Sequence, residues 1–133
     1  MKLKDVAQII AGRNVPKDKL LNSGDILYLN AKNIKDNELN LSSVSYVMKD
    51  SVQEKDILRP GDILLVRIGA GIGNMALFTA PESAVIGSPV FCIRSDDEDL
   101  IEKLKSKKVE IKELAKGTAL LSLTISDLSE LEI

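Results

Sequence analysis

The stretch 58–73, LRPGDILLVRIGAGIG, decides most of what this chain can be. Pro60 and Gly61 make a turn, because proline presets φ and glycine supplies φ > 0. Ile63 to Ile68 then runs apolar, glycines stand at 69, 71 and 73, and a second apolar run extends from Met75 to Phe78. Both runs are short and rich in Ile, Leu and similar residues, which predicts strands with at least one buried face. The glycines remove every Cβ from part of the loop, so either the chain turns tightly there or something approaches its backbone. The favoured geometry is a tight connection between two adjacent antiparallel strands. It puts Ile63, Leu65, Met75 and Leu77 in the core and the loop at the surface.

Nucleotide motifs are incomplete here. A dinucleotide loop needs G-x-G-x-x-G between strand and helix, whereas this chain has G-x-G-x-G followed by the strand-like NMALFTAPES. A phosphate loop needs Gly-Lys-Ser/Thr, and no lysine follows these glycines. No cofactor is expected. The chain has no histidine, which excludes a Ser-His-Asp triad, histidine general-base work and every His-containing metal site. The acids stand singly or in the run Asp96-Asp97-Glu98-Asp99, so neither a metal site nor a catalytic carboxylate pair is expected. Cys92 lies within the apolar PVFCIR and reads as a small buried hydrophobe in a reducing cytoplasm.

With 133 residues, 44% hydrophobic and 29% charged, the chain suits one domain with a real core. No apolar run reaches the ~20 residues of a membrane span, and Asp5 and Gln8 interrupt the N-terminal stretch, so it is no signal peptide. The net charge of −2 argues against strong nonspecific nucleic-acid binding. The charge is uneven, however. Residues 1–49 carry 8 Lys/Arg against 5 Asp/Glu, and residues 50–133 carry 10 against 15. Residues 103–117 alone hold six lysines and two glutamates. These two basic regions either converge on one face or are ordinary solvated surface.

Outward from the opening stretch, Leu3, Val6, Ile9 and Ile10 follow helical spacing, with Gly12 placed to end the helix. Residues 22–25 form a turn and 26–30 an alternating strand. Residues 33–43 read as a polar loop, and Val44, Tyr46 and Met48, alternating with polar neighbours, as another strand. Strands at 84–86 and 90–93 flank a Gly-Ser-Pro turn. Helical spacing returns from Leu100 to Ala115, with Gly117 as its C′ residue. Helix, many short strands, then helices predicts an α+β domain with a twisted, mostly antiparallel sheet and flanking short helices.

Four segments, in this order, resemble the target recognition domain of type I restriction-modification specificity subunits. They are LKDVAQIIAGRNVP, LYLNAKNIKDNELN, LRPGDILLVRIGAGIGNMAL (the family's "pGDil...G..iG..a" core) and AKGTALLSLTISDLSELEI (its closing "a.G....ls...l..l.i"). The resemblance covers nearly the whole chain. It implies a non-catalytic component that reads one half of a split double-stranded DNA site. It also implies methyltransferase (modification) subunits as partners and, through them, the restriction subunit, all in the cytoplasm. Residues 1–133 correspond to a single recognition domain, without the spacer helix or a second domain, as expected of a truncated, half-sized or excised unit. A homodimer would restore a two-domain arrangement. The stretch between Ile93 and Lys116 is short for the family.

Groove reading by loops would use Arg toward guanine and Asn toward adenine edges, with Lys, Ser, Thr and backbone N–H groups on phosphates. The candidates are Arg13, Asn14, Lys17, Lys32, Asn33, Arg67, Asn74, Lys116 and Thr118. Each has a structural alternative. Arg67 can point to solvent by strand alternation, Asn14 and Asn33 can bond their own turns, and Lys116 can cap a helix. The glycines at 12, 61, 69, 71, 73 and 117 are assigned to backbone geometry. Two other functions stand beside DNA reading: a protein-interaction domain without a DNA role, and a carboxylate-based hydrolase.

Overall fold

The computed structural model describes residues 1–133. Helix α1 (Leu3–Val6) leads directly into β1 (Gln8–Ala11), and β2 (Ile26–Leu29) follows a long loop. A small hairpin, β3 (Ile34–Lys35) and β4 (Glu38–Leu39), turns through Asn37 at φ 75. Then come β5 (Ser45–Val47), β6 (Ile63–Val66), β7 (Met75–Leu77), β8 (Ser83–Ile86) and β9 (Val90–Arg94). Helices α2 (Leu100–Ser106), α3 (Lys108–Glu113) and α4 (Ile125–Ser129) complete the chain. No helix is long and apolar enough to cross a membrane.

The strands form two main sheets and the hairpin. One sheet has the order β1-β9-β6-β7, antiparallel throughout, and the other the order β5-β2-β8. Within the second sheet β2 pairs parallel to β8, although all other pairs are antiparallel. The class is therefore α+β and mostly antiparallel, divided over two layers.

Side-chain alternation explains why ILLV at 63–66 is wholly apolar. Ile63 and Leu65 face the helices, packing with Met75, Phe91, Ile93, Leu100, Leu104 and Leu128. Leu64 and Val66 face the second sheet, packing with Leu27, Leu29, Ala84 and Ile86. A strand covered on both faces has no polar side to show. The same reasoning applies to β2. Leu27 and Leu29 face inward, and Ile26 and Tyr28 meet a third cluster with Val47 and Val85, covered by Val15, Leu20, Val52 and Ile57. The expected alternation along 26–30 is absent for this reason.

Several local expectations need correction. Ile9 and Ile10 are not helical: β1 pairs Ile9 with Ile93 and Ile10 with Cys92. Gly12 therefore ends no helix. A Cβ on Gly12 would lie 2.0 Å from the Gly87 carbonyl oxygen, and one on Gly87 would lie 2.4 Å from the Tyr28 hydroxyl. Both glycines are there to let three chain segments touch. Leu77 is exposed on edge strand β7, while Ile63, Leu65 and Met75 are buried as expected. In β5 Val47 is fully buried, and Met48 just beyond it is exposed. In the glycine loop φ is positive at Gly69 and Gly73 but not at Gly71, and Ile72 is buried beneath it. The polar stretch 33–43 contains the β3–β4 hairpin. Gly117 lies beyond α3, in a loop where Lys116 and Ser122 pair.

The chain ends meet. Leu3 N–H donates to the Leu131 carbonyl (2.8 Å) and Ile133 N–H to that of Met1 (2.9 Å). Lys2 and Lys4 both reach the Glu130 carboxylate. Their two ammonium groups hold Glu130 at a pKa of about 2.

Candidate nucleic-acid interface

The turn from β8 to β9, residues 87–89, carries the chain from one sheet to the other and gathers the candidate residues around it. Arg13 N–H donates to the Ile86 carbonyl (3.1 Å), and the Tyr28 hydroxyl donates to the Arg13 carbonyl (3.5 Å). On the other side, Arg67 N–H donates to the Pro89 carbonyl (2.9 Å) and Arg67 Nε to that of Ser88 (2.6 Å). The Arg67 guanidinium also lies 5.3 Å from the centroid of the Phe91 ring, an attraction worth ~0.5–1 kcal/mol at exposed sites.

The Arg13 guanidinium is ion-paired with a carboxylate. Its Nε lies 3.4 Å from Asp56 Oδ1, with the arginine side chain 57% exposed. Arg67 thus hydrogen-bonds to the protein through its inner nitrogen, Arg13 makes only an ion-pair contact there, and the terminal nitrogens of neither make a hydrogen bond within the chain. A guanidinium tied at Nε keeps a planar pair of donors for an acceptor pair outside.

Other segments extend this rim. Gly87 N–H donates to the Leu29 carbonyl (2.9 Å), placing the Asn30–Asn33 turn beside the hub and Lys32 exposed upon it. Leu123 N–H donates to the Arg67 carbonyl (2.7 Å), Ile68 pairs with Ser122, and Ser122 pairs with Lys116. Exposed Lys116 and Thr118 therefore stand on a loop joined to the glycine loop. Asn14 is exposed and lines a cavity of about 230 Å³ with Gly12, Arg13, Lys55, Asp56 and Arg94.

Three candidates lie apart from this group. Lys17 is exposed on its own short turn, Lys17–Lys19. Asn74 follows the glycine loop and accepts a long hydrogen bond from Lys108 Nζ (3.4 Å). Asn33 is a correction: it is 2% exposed, its Oδ1 accepts from Asn30 N–H (2.9 Å) and its Nδ2 donates to the Asn40 carbonyl (3.0 Å). Its amide is used up in holding the turn, which is the structural alternative for an asparagine in such a position. The two basic regions converge only in part. Lys108 of α3 reaches Asp36 in the hairpin and Lys112 packs on Gly73, beside the glycine loop rather than at Arg13.

Sequence reasoning passed over Asp62, the acid of P-G-D. It is buried, Oδ2 accepting from Arg59 N–H (2.8 Å) and Arg94 Nη2 (2.8 Å), Oδ1 from Arg94 Nε (2.9 Å). Burial alone would raise its pKa, but the hydrogen bonds from Arg94 and Arg59 and the Arg94 charge outweigh it, leaving the carboxyl below the usual range. Burial and this neighbouring carboxylate push the Cys92 thiol well up, so it is no nucleophile at neutral pH. Asp56 and Ser88 were also missed. Asp56 has no local signal, and the part played by Ser88 belongs to its backbone, which any residue would supply.

The fold and this rim define an α+β module that presents loops from several strand ends on a two-sheet platform. The chain belongs to the family described as the type I restriction modification DNA specificity domain, whose model matches residues 1–133. No curated protein sequence matches it. Among solved structures it is similar to the HsdS subunit from Thermoanaerobacter tengcongensis, with a TM-score of 0.72 and 22% identity over 98% of this chain and 31% of that one. The type I restriction-modification S subunit from M. genitalium aligns with a TM-score of 0.67 and 20% identity, over 98% and 32%. A chain from a structure on complex assembly and conformational transition of the type I R-M system aligns with a TM-score of 0.74 and 20% identity, over 98% and 32%. The chain thus spans about a third of the length of the subunits it matches, and at these identities the likeness is one of fold.

Proposed function

We propose that this chain reads duplex DNA sequence as the non-catalytic specificity module of a type I restriction-modification system. In this role it directs cytoplasmic modification subunits, and through them a restriction subunit, to one half of a split site. The observation that carries the reading is the pair of arginines on either side of the 87–89 turn, Arg67 hydrogen-bonded and Arg13 ion-paired at Nε, with their outer nitrogens free of hydrogen bonds within the chain. Such a fork matches the O6/N7 edge of guanine. Asn14 offers an adenine-type amide. Lys32, Lys116, Thr118 and, farther out, Lys17 and Asn74 supply backbone contacts that set register. Asn33 is withdrawn from the contact set because its amide is buried.

An acidic module reading half a site neutralises few phosphates, so it binds weakly alone and strengthens when a second copy or the modification subunits enclose the duplex. The test is a salt series against duplexes selected from a randomised pool and against scrambled controls. Arg13→Ala and Arg67→Ala should each lower discrimination about five- to tenfold or more, the value of one bidentate base contact. Lys32→Ala with Lys116→Ala should weaken every duplex alike and flatten the salt slope by about one for each phosphate no longer neutralised. Equal affinity for all sequences at every salt concentration, unmoved by these substitutions, would reject DNA reading in favour of a protein-interaction domain.

A further inference from the structure

We infer that Asp56 is a specificity-positioning residue: it orients Arg13 for base reading without itself touching DNA. The inference rests on the DNA-reading role proposed above and adds a residue from a distant part of the sequence.

Arg13 has an unusually well-fixed origin. Its N–H and carbonyl are both bonded, to Ile86 and Tyr28, and the preceding Gly12 is packed against Gly87 with no room for a Cβ. Beyond Cα, however, an arginine has several free torsions, and freezing them on binding costs entropy. Asp56 biases those torsions in advance through its ion-pair contact with Nε. Its two oxygens have separate tasks: Oδ2 accepts from Gln53 N–H (3.4 Å), and Oδ1 faces Arg13 Nε (3.4 Å). The carboxylate is itself anchored. Asp56 N–H donates to the Gln53 carbonyl (2.9 Å), closing the turn Glu54–Asp56. Ile57 packs on the outer cluster, and Leu58, buried, donates its N–H to the Ala84 carbonyl (2.9 Å). Asp56 is thus held to β8, the strand that ends in the turn fixing Arg13. The acid sits on the inner side of the guanidinium, 21% exposed against 57% for the arginine, and leaves the outer donors unshared.

A carboxylate near a phosphate backbone is repelled by it. An acid that only served stability would weaken all DNA binding and help none of it. An acid that orients a reading arginine exchanges some general affinity for discrimination. The two roles therefore differ in sign, and that difference can be measured.

The experiment compares wild-type chain, Asp56→Ala, Asp56→Asn, Arg13→Ala and the Arg13→Ala/Asp56→Ala double variant. Each is titrated at low salt with the selected duplex, the scrambled duplex and the selected duplex carrying 7-deazaguanine at the guanine that Arg13 reads. Asp56→Ala is expected to lower discrimination about twofold, the scale of an exposed ion pair, and to raise affinity for scrambled DNA. It should also reduce the penalty for 7-deazaguanine by the same factor, whereas Arg13→Ala should abolish it. In the Arg13→Ala background it should change discrimination no further. Asp56→Asn, which keeps an acceptor oxygen, should restore part of the discrimination, and it decides the cycle if the alanine variant does not fold. A parallel drop in affinity for every duplex, unchanged discrimination, or an equal drop in discrimination in both backgrounds would overturn the inference. A wild-type chain with no sequence preference would instead reject the DNA-reading role itself.

Discussion

Asp62 and Arg94 meet through hydrogen bonds of 2.8 and 2.9 Å, the carboxylate 3% and the guanidinium 19% exposed. Asp56 and Arg13 meet at a single distance of 3.4 Å, at 21% and 57% exposure. The residue types are the same and the outcomes are opposite. In the first pair the acid takes Nε and an outer nitrogen together, so the arginine has little left to offer a ligand. Its work is to join the start of β6 to the end of β9. In the second pair only Nε is taken. What separates a structural pair from a recognition pair here is how much of the fork the acid consumes, and how dry the meeting is.

The largest effect that could overturn this contrast is expected of Asp62→Ala. It leaves the Arg94 charge half-buried without a partner, and breaking buried pairs in this way costs ~3–5 kcal/mol. Arg94 retains some solvent access, so about 3 kcal/mol is expected, read from urea unfolding at pH 7. The same titration for Asp56→Ala should show a decrease of about 0.5 kcal/mol or less, as for other exposed pairs. Equal decreases would show that exposure does not divide the two pairs.

A pH series approaches the same pair from another side. The folded pKa of Asp62 lies below its ordinary value. Its stabilisation is therefore complete above the unfolded carboxyl pKa of about 4 and disappears as pH falls through the lower, folded value. Wild-type stability should drop over that acid window, and Asp62→Asn should drop less steeply. A variant with the same slope as wild type would remove Asp62 from the acid transition.

The glycine loop offers a smaller version of the contrast. Gly73, at φ 93, holds a conformation that costs an L-residue ~1–2 kcal/mol. Gly73→Ala should therefore lower stability by about 1 kcal/mol. Gly71 has ordinary φ, and a Cβ there would meet the Asn74 amide nitrogen first, at 3.4 Å, so Gly71→Ala should stay within about 0.5 kcal/mol of wild type. Thermal or urea unfolding of both variants checks the assignment of strain to one glycine and not the other.

Sequence was most informative where burial was two-sided. A run such as ILLV has no polar alternate, and both β6 and β7 were legible with their connecting loop. It was least informative where the partner lay far along the chain. LKDVAQII satisfies helical spacing, yet residues 8–11 are drawn into pairing with 91–94, because tertiary pairing overrides a short, weak local preference. Leu77 reads as core by alternation and points outward, since β7 is an edge strand and lacks cover on that side. At the candidate interface, Arg13 was legible as a cation in a loop and Arg67 as a cation within an apolar strand. Their fixation was not, because Asp56 and the Ser88 carbonyl arrive from elsewhere in the chain. Asn33 and Asn14 look alike in sequence, and only the fold buries one and exposes the other.

The pairing of residues 1–3 with 131–133 has a consequence for handling this domain as a part. Any polypeptide entering at residue 1 and any leaving at residue 133 share one doorway, closed by main-chain bonds of 2.8 and 2.9 Å. A host chain interrupted there would find its two halves still side by side, with its spacing barely altered. Tension applied across the doorway would part those few bonds one after another before it reached either sheet.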